Sequence, residues 1–290
     1  MRFTLMMGLG GYPDYQTLAV LAEAEGWSSI GLPDSLFFPQ ISDSIYPYAN
    51  TEDVRKYISA SPFIEPFVAM SWMAAITTKL RFYPNVIKVP VRQPLLLAKS
   101  LSSLAALSNN RITLGAGISP WKEDFTFNGL NFEKRGKLMD ECIEIIRGAM
   151  SGDYFEYHSE NYDFGRLKMC PVPSEPVPII IGGHSNPALA RAARLGDGWA
   201  SANSDYETLK ALIQNLNQKR SDYDTLQRSD FTIHAIDSNA KELADFHRLR
   251  DIGVTDICVT PWDVYDSTLN GQIKIDGVKR FSEKIISKFV

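Results

Sequence analysis

The sequence is poor in cysteine and histidine. Its 290 residues include three cysteines, which lie far apart at Cys142, Cys170 and Cys258. An odd number of distant cysteines does not suit a disulfide framework, so we expect reduced thiols in an intracellular compartment. The four histidines show neither H-x-H nor H-E-x-x-H spacing. This spacing argues against a metal-dependent hydrolase, and we expect no metal site.

Long apolar segments and an excess of positive charge are also missing. No stretch reaches the roughly 18 apolar residues of a membrane helix. The apolar N-terminal segment, MRFTLMMGLGG, lacks the small-residue cleavage site of a signal peptide. The net charge is −4, so the chain has no electrostatic signature of nucleic-acid binding. We therefore expect a cytoplasmic protein that binds neither membranes nor nucleic acid.

Apolar, β-branched segments alternate with segments of helical period along the whole chain. Eight segments are predicted to be strands: residues 2–8, 28–33, 80–87, 111–117, 177–183, 197–201, 230–236 and 254–260. An example of the helical segments is QPLLLAKSLSSLAALSNNR, whose apolar residues recur at helical spacing: Leu97, Leu101, Leu104 and Ala105. Eight strands, each followed by a helix, predict an α/β fold, a (β/α)8 TIM barrel, as a single domain over residues 1–290. The competing fold, an open doubly wound sheet, usually has fewer strands.

Two segments interrupt the alternation. Residues 39–62, after strand two, are rich in Pro, Ser, Asp and Tyr. Residues 152–176, before strand five, are predicted to form a small hairpin and a proline-rich connector. We interpret both as insertions in one domain. Functional residues of a barrel lie on the loops after the strands, so the candidates are the residues just beyond each strand.

The loop after strand five, GGHSNP, exposes the backbone at the start of a helix. Gly182 and Gly183 end the strand. Ser185 or Asn186 can cap the following helix, and Pro187 suits its first turn. A helix N-terminus with free amides favours an anion such as phosphate. The same residues are compatible with an ordinary strand–helix turn, and their spacing is not the G-x-G-x-x-G of a Rossmann fold.

The loops after strands three and four carry small and aromatic residues. Gly115 and Gly117 thin the barrel rim, beside the hydroxyl of Ser119 and the flat surface of Trp121. Glycines at this position permit close approach of a planar ligand, and they also occur where helices crowd the rim. At the end of strand three, Pro84 interrupts ladder pairing, so we expect a bulge there.

Asp34 and His184 are the candidate catalytic residues. Asp34 follows strand two, where a carboxylate can act as a base, orient a substrate or cap the next segment. His184 lies in the loop after strand five, where a histidine can carry protons or be a hydrogen-bonded surface group. The residues alone leave these alternatives open.

Five motifs occur in order along the chain: LAEAEGWSSIGLPD, VRQPLLLAKSLSSLAALSNNRITLGAG, WKEDFTFNGLNFEKRGKLMDECIEII, PIIIGGHSNPALARAARLGDGW and VTPWD. Together they resemble the bacterial luciferase-like monooxygenase family, and the resemblance covers nearly the whole chain. The sequence is most similar to the branch described as F420-dependent oxidoreductases, some relatives of which use FMN.

The resemblance implies an oxidoreductase or monooxygenase with FMN or F420 in the barrel mouth. It places the cofactor phosphate on the loop after strand five. It also implies a non-prolyl cis peptide that supports the ring at the end of strand three, where this chain has Asn85–Val86. The cofactor-binding residues implied in this sequence are Asn85, Val86, Gly117, Ile118, Ser119, Gly182, Gly183, His184, Ser185 and Asn186.

The resemblance further implies hydride transfer, with O2 insertion if the cofactor is FMN, on a small, largely apolar substrate. A separate flavin or F420 reductase and a homodimer are also expected. The insertion at residues 39–62 is expected to shape the substrate pocket, with Tyr46 and Tyr48 as lid contacts. The other side chains expected to line this pocket are Met7, Tyr12, Phe37, Trp121 and Trp262.

The sequence departs from the family pattern at two positions. Many relatives have a histidine next to the aspartate after strand two, where this chain has Ser35, and a serine is no general acid at neutral pH. The luciferase branch has an arginine just after strand four, where this chain has Ile118. The missing histidine leaves open a non-catalytic barrel that binds a flavin or deazaflavin. A sugar-phosphate barrel enzyme is a third alternative, although neither paired carboxylates nor a lysine is evident at the strand ends.

Overall fold

The computed structural model describes residues 1–8, 12–264, 266 and 268–289. This part of the chain contains eleven strands and ten α-helices. The strands are β1 (Arg2–Met6), β2 (Ser29–Leu32), β3 (Arg81–Pro84), β4 (Ile87–Lys88), β5 (Leu114–Gly117), β6 (Phe155–His158), β7 (Asp163–Leu167), β8 (Ile179–Gly182), β9 (Gly198–Asn203), β10 (Thr232–Ile236) and β11 (Asp256–Val259). The helices are α1 (Tyr15–Ala24), α2 (Thr51–Ala60), α3 (Pro66–Ala74), α4 (Pro94–Ser108), α5 (Lys122–Thr126), α6 (Arg135–Ala149), α7 (Asn186–Leu195), α8 (Tyr206–Asp222), α9 (Leu243–Asp251) and α10 (Gly271–Lys284). In this part of the chain, no helix combines the length and the apolarity needed to cross a membrane.

Nine of the strands form one parallel sheet in the order β3–β2–β1–β11–β10–β9–β8–β5–β4. The first and last strands in this order, β3 and β4, are consecutive segments of one barrel strand. β3 pairs with β2, with Pro84 opposite Leu32, whereas β4 pairs with β5, with Lys88 opposite Gly117. Because the strand leaves one neighbour and joins the other, the sheet closes into a barrel of eight strands. The predicted (β/α)8 barrel is confirmed.

Apolar side chains fill both faces of the barrel strands, because helices cover a parallel barrel outside and side chains pack its interior. Every residue of β2 and of β5 is buried. Burial of one large apolar side chain stabilises the fold by roughly 1.5–3 kcal/mol. The largest of the fully buried side chains are Trp199, Tyr83, Phe82, Phe125 and Phe246.

Helix α4 shows how the sequence sets a helix and its buried face. The helix begins at Pro94, after the N-cap Gln93, whose side chain accepts a hydrogen bond from the N–H of Leu96 at 2.9 Å. It ends at Ser108 and is followed by the C-cap Asn109, whose φ of 57° lies in the left-handed region that asparagine tolerates. The residues predicted to share one face are buried against the barrel: Leu97, Leu101, Leu104 and Ala105.

Both insertions expected from the sequence are present. Within residues 39–62, an irregular segment leads to α2, where Asn50 accepts hydrogen bonds from the N–H groups of Glu52 and Asp53. Helix α3, which packs on the barrel, follows directly. Residues 152–176 contain the antiparallel β6–β7 hairpin. The first insertion contacts the loops after β5 and β8, so it lies over the carboxyl ends of the strands.

Candidate active site

The third barrel strand changes its neighbour at Asn85 and Val86, whose peptide bond is cis, as the family resemblance implies. The Val86 side chain lies against the ends of two other strands. A Cβ atom at Gly117 would lie 2.5 Å from Cγ2 of Val86, and one at Gly182 would lie 3.1 Å from Cγ1. The first distance is shorter than real Cβ contacts and the second is tighter than most of them, so the two glycines leave room for Val86. We call Val86, Gly117 and Gly182 the shelf.

The side chain of Asn85 contacts weak hydrogen-bond partners just inside the barrel. The Tyr83 hydroxyl donates to Oδ1 of Asn85 at 3.3 Å, and Nδ2 lies 3.6 Å from Sγ of Cys258 and 3.9 Å from Sδ of Met6. Burial raises the pKa of the Cys258 thiol to about 12, so this cysteine is protonated at neutral pH. Because sulfur is a weak acceptor, the Asn85 amide keeps the capacity to donate to a stronger one.

The loop after β8 leads into the exposed start of α7. Gly183 has a φ of 122°, and a Cβ atom there would lie 2.9 Å from Cβ of Ala188. Ser185 caps the helix, because its Oγ accepts a hydrogen bond from the N–H of Ala188 at 3.4 Å. Ser185 and Asn186 are exposed. The capping prediction is confirmed, and the helix N-terminus is open to an anion.

His184 ties this loop to the neighbouring strand. Its Nε2 accepts a hydrogen bond from the N–H of Ala202 at 2.9 Å, and Nε1 of Trp199 donates to the Gly183 carbonyl at 2.8 Å. An accepting Nε2 requires a neutral ring with its proton on Nδ1. Burial lowers the pKa of His184, which also favours the neutral ring at pH 7. The structure thus gives His184 a role in holding the loop, and its role as a proton carrier stays a prediction.

Four aromatic rings form a row across the barrel mouth, from the loop after β5 to the loop after β8. Trp121 stacks on Tyr46 at 6.0 Å between centroids, Tyr46 meets Tyr48 edge-on at 5.6 Å, and Tyr48 meets His184 at 4.7 Å. The Tyr48 oxygen also accepts a hydrogen bond from the backbone N–H of His184. The two tyrosines of the insertion therefore lie across the mouth, and their role as lid contacts stays a prediction.

Asp34 is bound by an arginine that the sequence does not identify as its partner. Its two oxygens accept hydrogen bonds from Arg92 Nη1 and Nη2, each at 2.8 Å, and Oδ2 also accepts from the N–H of Lys88 at 2.8 Å. The Asp34 side chain is 1% exposed. These contacts fasten β4 to the end of β2. The catalytic role of Asp34 stays a prediction, and the contacts themselves favour a positioning role.

Replacing Arg92 with lysine is expected to lower the free energy of unfolding by about 1.5 kcal/mol, because lysine keeps the charge but loses one of two charge-assisted hydrogen bonds to Asp34. Urea unfolding followed by tryptophan fluorescence measures the change. Arg81→Lys is the control, since the contacts described for Arg81 include no bidentate carboxylate. Equal stability of Arg92→Lys and the wild type would contradict the fastening role.

A buried polar network lies beside the shelf. Nζ of Lys88 lies 2.7 Å from Oδ2 of Asp124, and the Ser119 hydroxyl donates to the same oxygen at 2.5 Å. The Lys88 and Asp124 side chains are 11% and 3% exposed. Sequence reasoning finds no clear lysine at a strand end, and that interpretation is wrong. The sequence feature that could have identified Lys88 is its position as the one cation within the segment NVIKVPV.

Ser119 and Ile118, in the loop after strand four, make contacts within the protein itself. The Ser119 hydroxyl bonds to Asp124 and also accepts from the N–H of Trp121 at 3.1 Å. Ile118 is half-buried and packs on the core. Both residues support the rim of the mouth, and their contact with a cofactor stays a prediction.

The structure brings together two of the five residues predicted to line the substrate pocket. Phe37 and Trp121 line one pocket under the insertion. Met7 is buried in the core, Tyr12 is 47% exposed, and Trp262 is half-buried against the core. Within the predicted loop at residues 8–13, residues 9–11 lie outside the described residues. The described residues contain no group of three His, Cys, Asp or Glu side chains arranged to hold a metal.

Comparison with known protein families gives a match along almost the whole chain. The model of the luciferase-like monooxygenase family matches residues 2–275. This chain belongs to the luciferase-like monooxygenase family. The family resemblance of the five sequence motifs is thereby confirmed.

Relatives in this family include proteins without a known activity and a flavin-dependent enzyme. The chain is 44% identical over 291 residues to an uncharacterized protein of Mycobacterium tuberculosis, covering 99% of this chain and 100% of that protein. It is 29% identical over 151 residues to the FMNH(2)-dependent dimethylsulfone monooxygenase of Pseudomonas fluorescens, covering 51% of this chain and 41% of that enzyme.

Solved structures of a monooxygenase and of a reductase share the fold over the full chain. A monooxygenase from Streptomyces bottropensis superposes with a TM-score of 0.78 at 15% identity, covering 100% of both chains. The coenzyme F420-dependent tetrahydromethanopterin reductase of Methanopyrus kandleri superposes with a TM-score of 0.76 at 13% identity, covering 100% of this chain and 99% of that one. At these identities the likeness shows the fold alone. By their names, the relatives and neighbours include users of FMN and of F420.

Proposed function

We propose that the chain is an oxidoreductase that binds FMN or F420 at the barrel mouth and transfers hydride to or from a small organic substrate. One observation carries the proposal: Val86 is seated between Gly117 and Gly182, directly beside the bare backbone of Gly183. This arrangement offers a flat support for a ring next to an opening for a phosphate. Family membership supports the same function.

The residues of the mouth fit a cofactor with a phosphate tail. The positive φ of Gly183 and the open start of α7 leave space where a side chain would block an anion. The Ser185 hydroxyl and the Tyr48 phenol lie at the same loop. Lys88 and Arg92, cations of the mouth, are each paired with a carboxylate. The phosphate charge would therefore be stabilised by amides and by the helix N-terminus.

The residues at the barrel mouth divide the work of holding the cofactor and shielding it from water. The bound cofactor would supply the redox chemistry. Val86 would support the ring of the cofactor, and the Asn85 amide would donate a hydrogen bond to it. The row of rings that includes Tyr46 and Tyr48 excludes water. The Asp34 carboxylate positions β4 through its contacts with Arg92 and with the backbone.

The proposed function is tested by cofactor release and binding. The purified protein is denatured and the absorbance spectrum of the released small molecules is recorded. The emptied protein is then titrated with FMN and with F420, each followed by fluorescence. We expect saturable binding of one of the two. Failure of both to bind would overturn the proposal.

Turnover separates this enzyme from the non-catalytic binding barrel that Ser35 leaves open. Bound cofactor is reduced by a separate reductase, which the proposal includes, and its reoxidation is recorded with and without candidate organic substrates, at a fixed O2 concentration if the cofactor is FMN. An enzyme reoxidises the cofactor faster with a substrate than without one, whereas a storage protein shows the same rate in both cases.

We also propose the homodimer that the family resemblance implies.

A further inference from the structure

The insertion carries a tyrosine hydroxyl to the loop after β8. The Tyr48 oxygen accepts a hydrogen bond from the backbone N–H of His184, and the two rings lie 4.7 Å apart between centroids. A Cβ atom at Gly183 would lie 3.6 Å from the same oxygen. The phenol of Tyr48 thus ends beside the bare backbone of the loop to which the proposed function assigns the cofactor phosphate.

The Tyr48 hydroxyl keeps a proton that it can donate. A phenol oxygen can accept one hydrogen bond while its O–H donates another. The contact described for Tyr48 uses the oxygen as an acceptor, which leaves the O–H for a further acceptor. Because hydrogen bonds in a chain polarise one another, the bond from His184 makes this O–H a better donor. Burial raises the pKa of Tyr48, against a smaller opposing effect of the His184 N–H, so the hydroxyl is protonated at neutral pH.

Contacts on the insertion fix the position of Tyr48. The Ser44 hydroxyl donates to Oε2 of Glu123 at 2.9 Å, which ties the segment before Tyr48 to the loop after β5. The backbone N–H of Tyr46 donates to Oγ1 of Thr51, the first residue of α2, at 3.0 Å, and this bond closes the chain around Tyr48. A donor that is already held in place loses little conformational freedom when a ligand binds.

The loop beside the Tyr48 hydroxyl is open to solvent. Tyr48 is 36% exposed, and Ser185 and Asn186 are exposed. An anion can therefore reach the hydroxyl without entering the space under the insertion. In the part of the chain that the structure describes, the hydrogen bonds of the loop do not use the N–H groups of Ser185 and Asn186. His184 directly precedes Ser185, so the phenol lies within one residue of these amides.

We propose that Tyr48 is a cofactor-binding residue, which donates its O–H to the phosphate at the start of α7 and makes the protein select the phosphorylated cofactor over its phosphate-free form. The inference rests on the proposed function and adds a ligand from the insertion to the site on the loop after β8. A hydrogen bond to an ionised group is stronger than one between neutral groups. The hydroxyl supplies this bond in a chain that has Ile118 where the luciferase branch has an arginine.

Tyr48→Phe tests the proposal, because it removes the hydroxyl and keeps the ring. We expect it to weaken FMN binding about tenfold, the loss of one hydrogen bond to a charged group, and to change riboflavin binding less than about twofold. If the wild type binds F420, the comparison uses F420 and the ribityl deazaflavin that lacks the phosphate tail. Fluorescence titration of the emptied protein measures each affinity. Tyr223→Phe is the control and should bind like the wild type, since Tyr223 is the C-cap of α8, at the end of that helix away from the mouth.

Inorganic phosphate tests the same contact without a redox ring. Its binding to the emptied protein is followed by phosphorus NMR, and Tyr48→Phe should weaken it about tenfold. Phosphate binding that depends on Tyr48, without binding of FMN or F420, would support the role of Tyr48 and overturn only the proposed function. Binding of none of the three ligands would overturn both.

Three results would overturn the role of Tyr48 and leave the proposed function intact. The first is an unchanged affinity of Tyr48→Phe for the cofactor and for phosphate. The second is a loss of riboflavin affinity as large as that of FMN, which marks a general effect on the mouth. The third is tighter binding of FMN, because the phenol would then block the loop. Equal melting temperatures of Tyr48→Phe and the wild type show that the variant is folded.

Discussion

Replacing Gly183 with valine is expected to weaken binding of the cofactor by about a hundredfold, the loss expected when two hydrogen bonds to a charged group are removed. The φ of 122° at Gly183 disfavours any side chain, and a Cβ atom there would lie 2.9 Å from Cβ of Ala188 and 3.6 Å from the Tyr48 oxygen. The loop amides would therefore move away from the phosphate. Fluorescence titration with FMN, or with F420 if the wild type binds that cofactor, measures the effect.

Two comparisons isolate the phosphate contact. Gly129→Val is the control variant, because Gly129 also has a positive φ, 71°, but its Cβ position has open space around it. It should bind the cofactor like the wild type. Riboflavin, which lacks the phosphate, should bind Gly183→Val and the wild type alike if the wild type accepts flavins. A loss of riboflavin affinity as large as that of FMN would show that the loop does not hold the phosphate.

Replacing Gly115 with alanine is expected to lower the free energy of unfolding by about 3 kcal/mol, at the upper end of the usual cost of overpacking. A Cβ atom at Gly115 would overlap the carbonyl oxygen of Pro84 and lie 2.5 Å from Cε2 of Tyr83. The obstacle is backbone, which cannot rotate away as a flexible side chain can. Urea unfolding followed by tryptophan fluorescence gives the free energy.

Gly165→Ala is the matched control for this substitution. Gly165 also lies in a strand, β7, but a Cβ atom there has no neighbour within 4 Å. Its effect should stay within about 0.5 kcal/mol, as for most surface substitutions. An equally small effect of Gly115→Ala would mean that the barrel end does not depend on the close approach of β5 to the third strand.

The barrel itself could be predicted from the sequence, because its information is local. Each buried strand appears as a short β-branched segment, and each covering helix as an apolar repeat of helical period. The predicted strand at residues 177–183 contains β8, Ile179–Gly182, and that at residues 230–236 contains β10, Thr232–Ile236. The helix cap at Ser185 was also predictable, since a cap depends on neighbours within one turn.

The polar contacts of the mouth could not be predicted in this way, because they join distant parts of the chain. Arg92 is 58 residues from Asp34 in the sequence. The residues around Asp34 do not identify Arg92 as its partner, and those around Arg92 do not identify Asp34. Lys88 was missed because the predicted third strand ends at residue 87, one residue before the end of β4. The change of neighbour within that strand was also hidden, since residues 80–87 form one apolar segment whichever strands they pair with.

The short strand β4 sets a length scale for whatever the mouth binds. A strand rises about 3.3 Å per residue, so Val86 and Lys88 are separated by about 7 Å along the backbone. That backbone is fixed by its ladder with β5 and by the Asp34 contact to the Lys88 N–H. The shelf at Val86 and the ion pair of Lys88 with Asp124 are therefore held at a fixed spacing at the mouth.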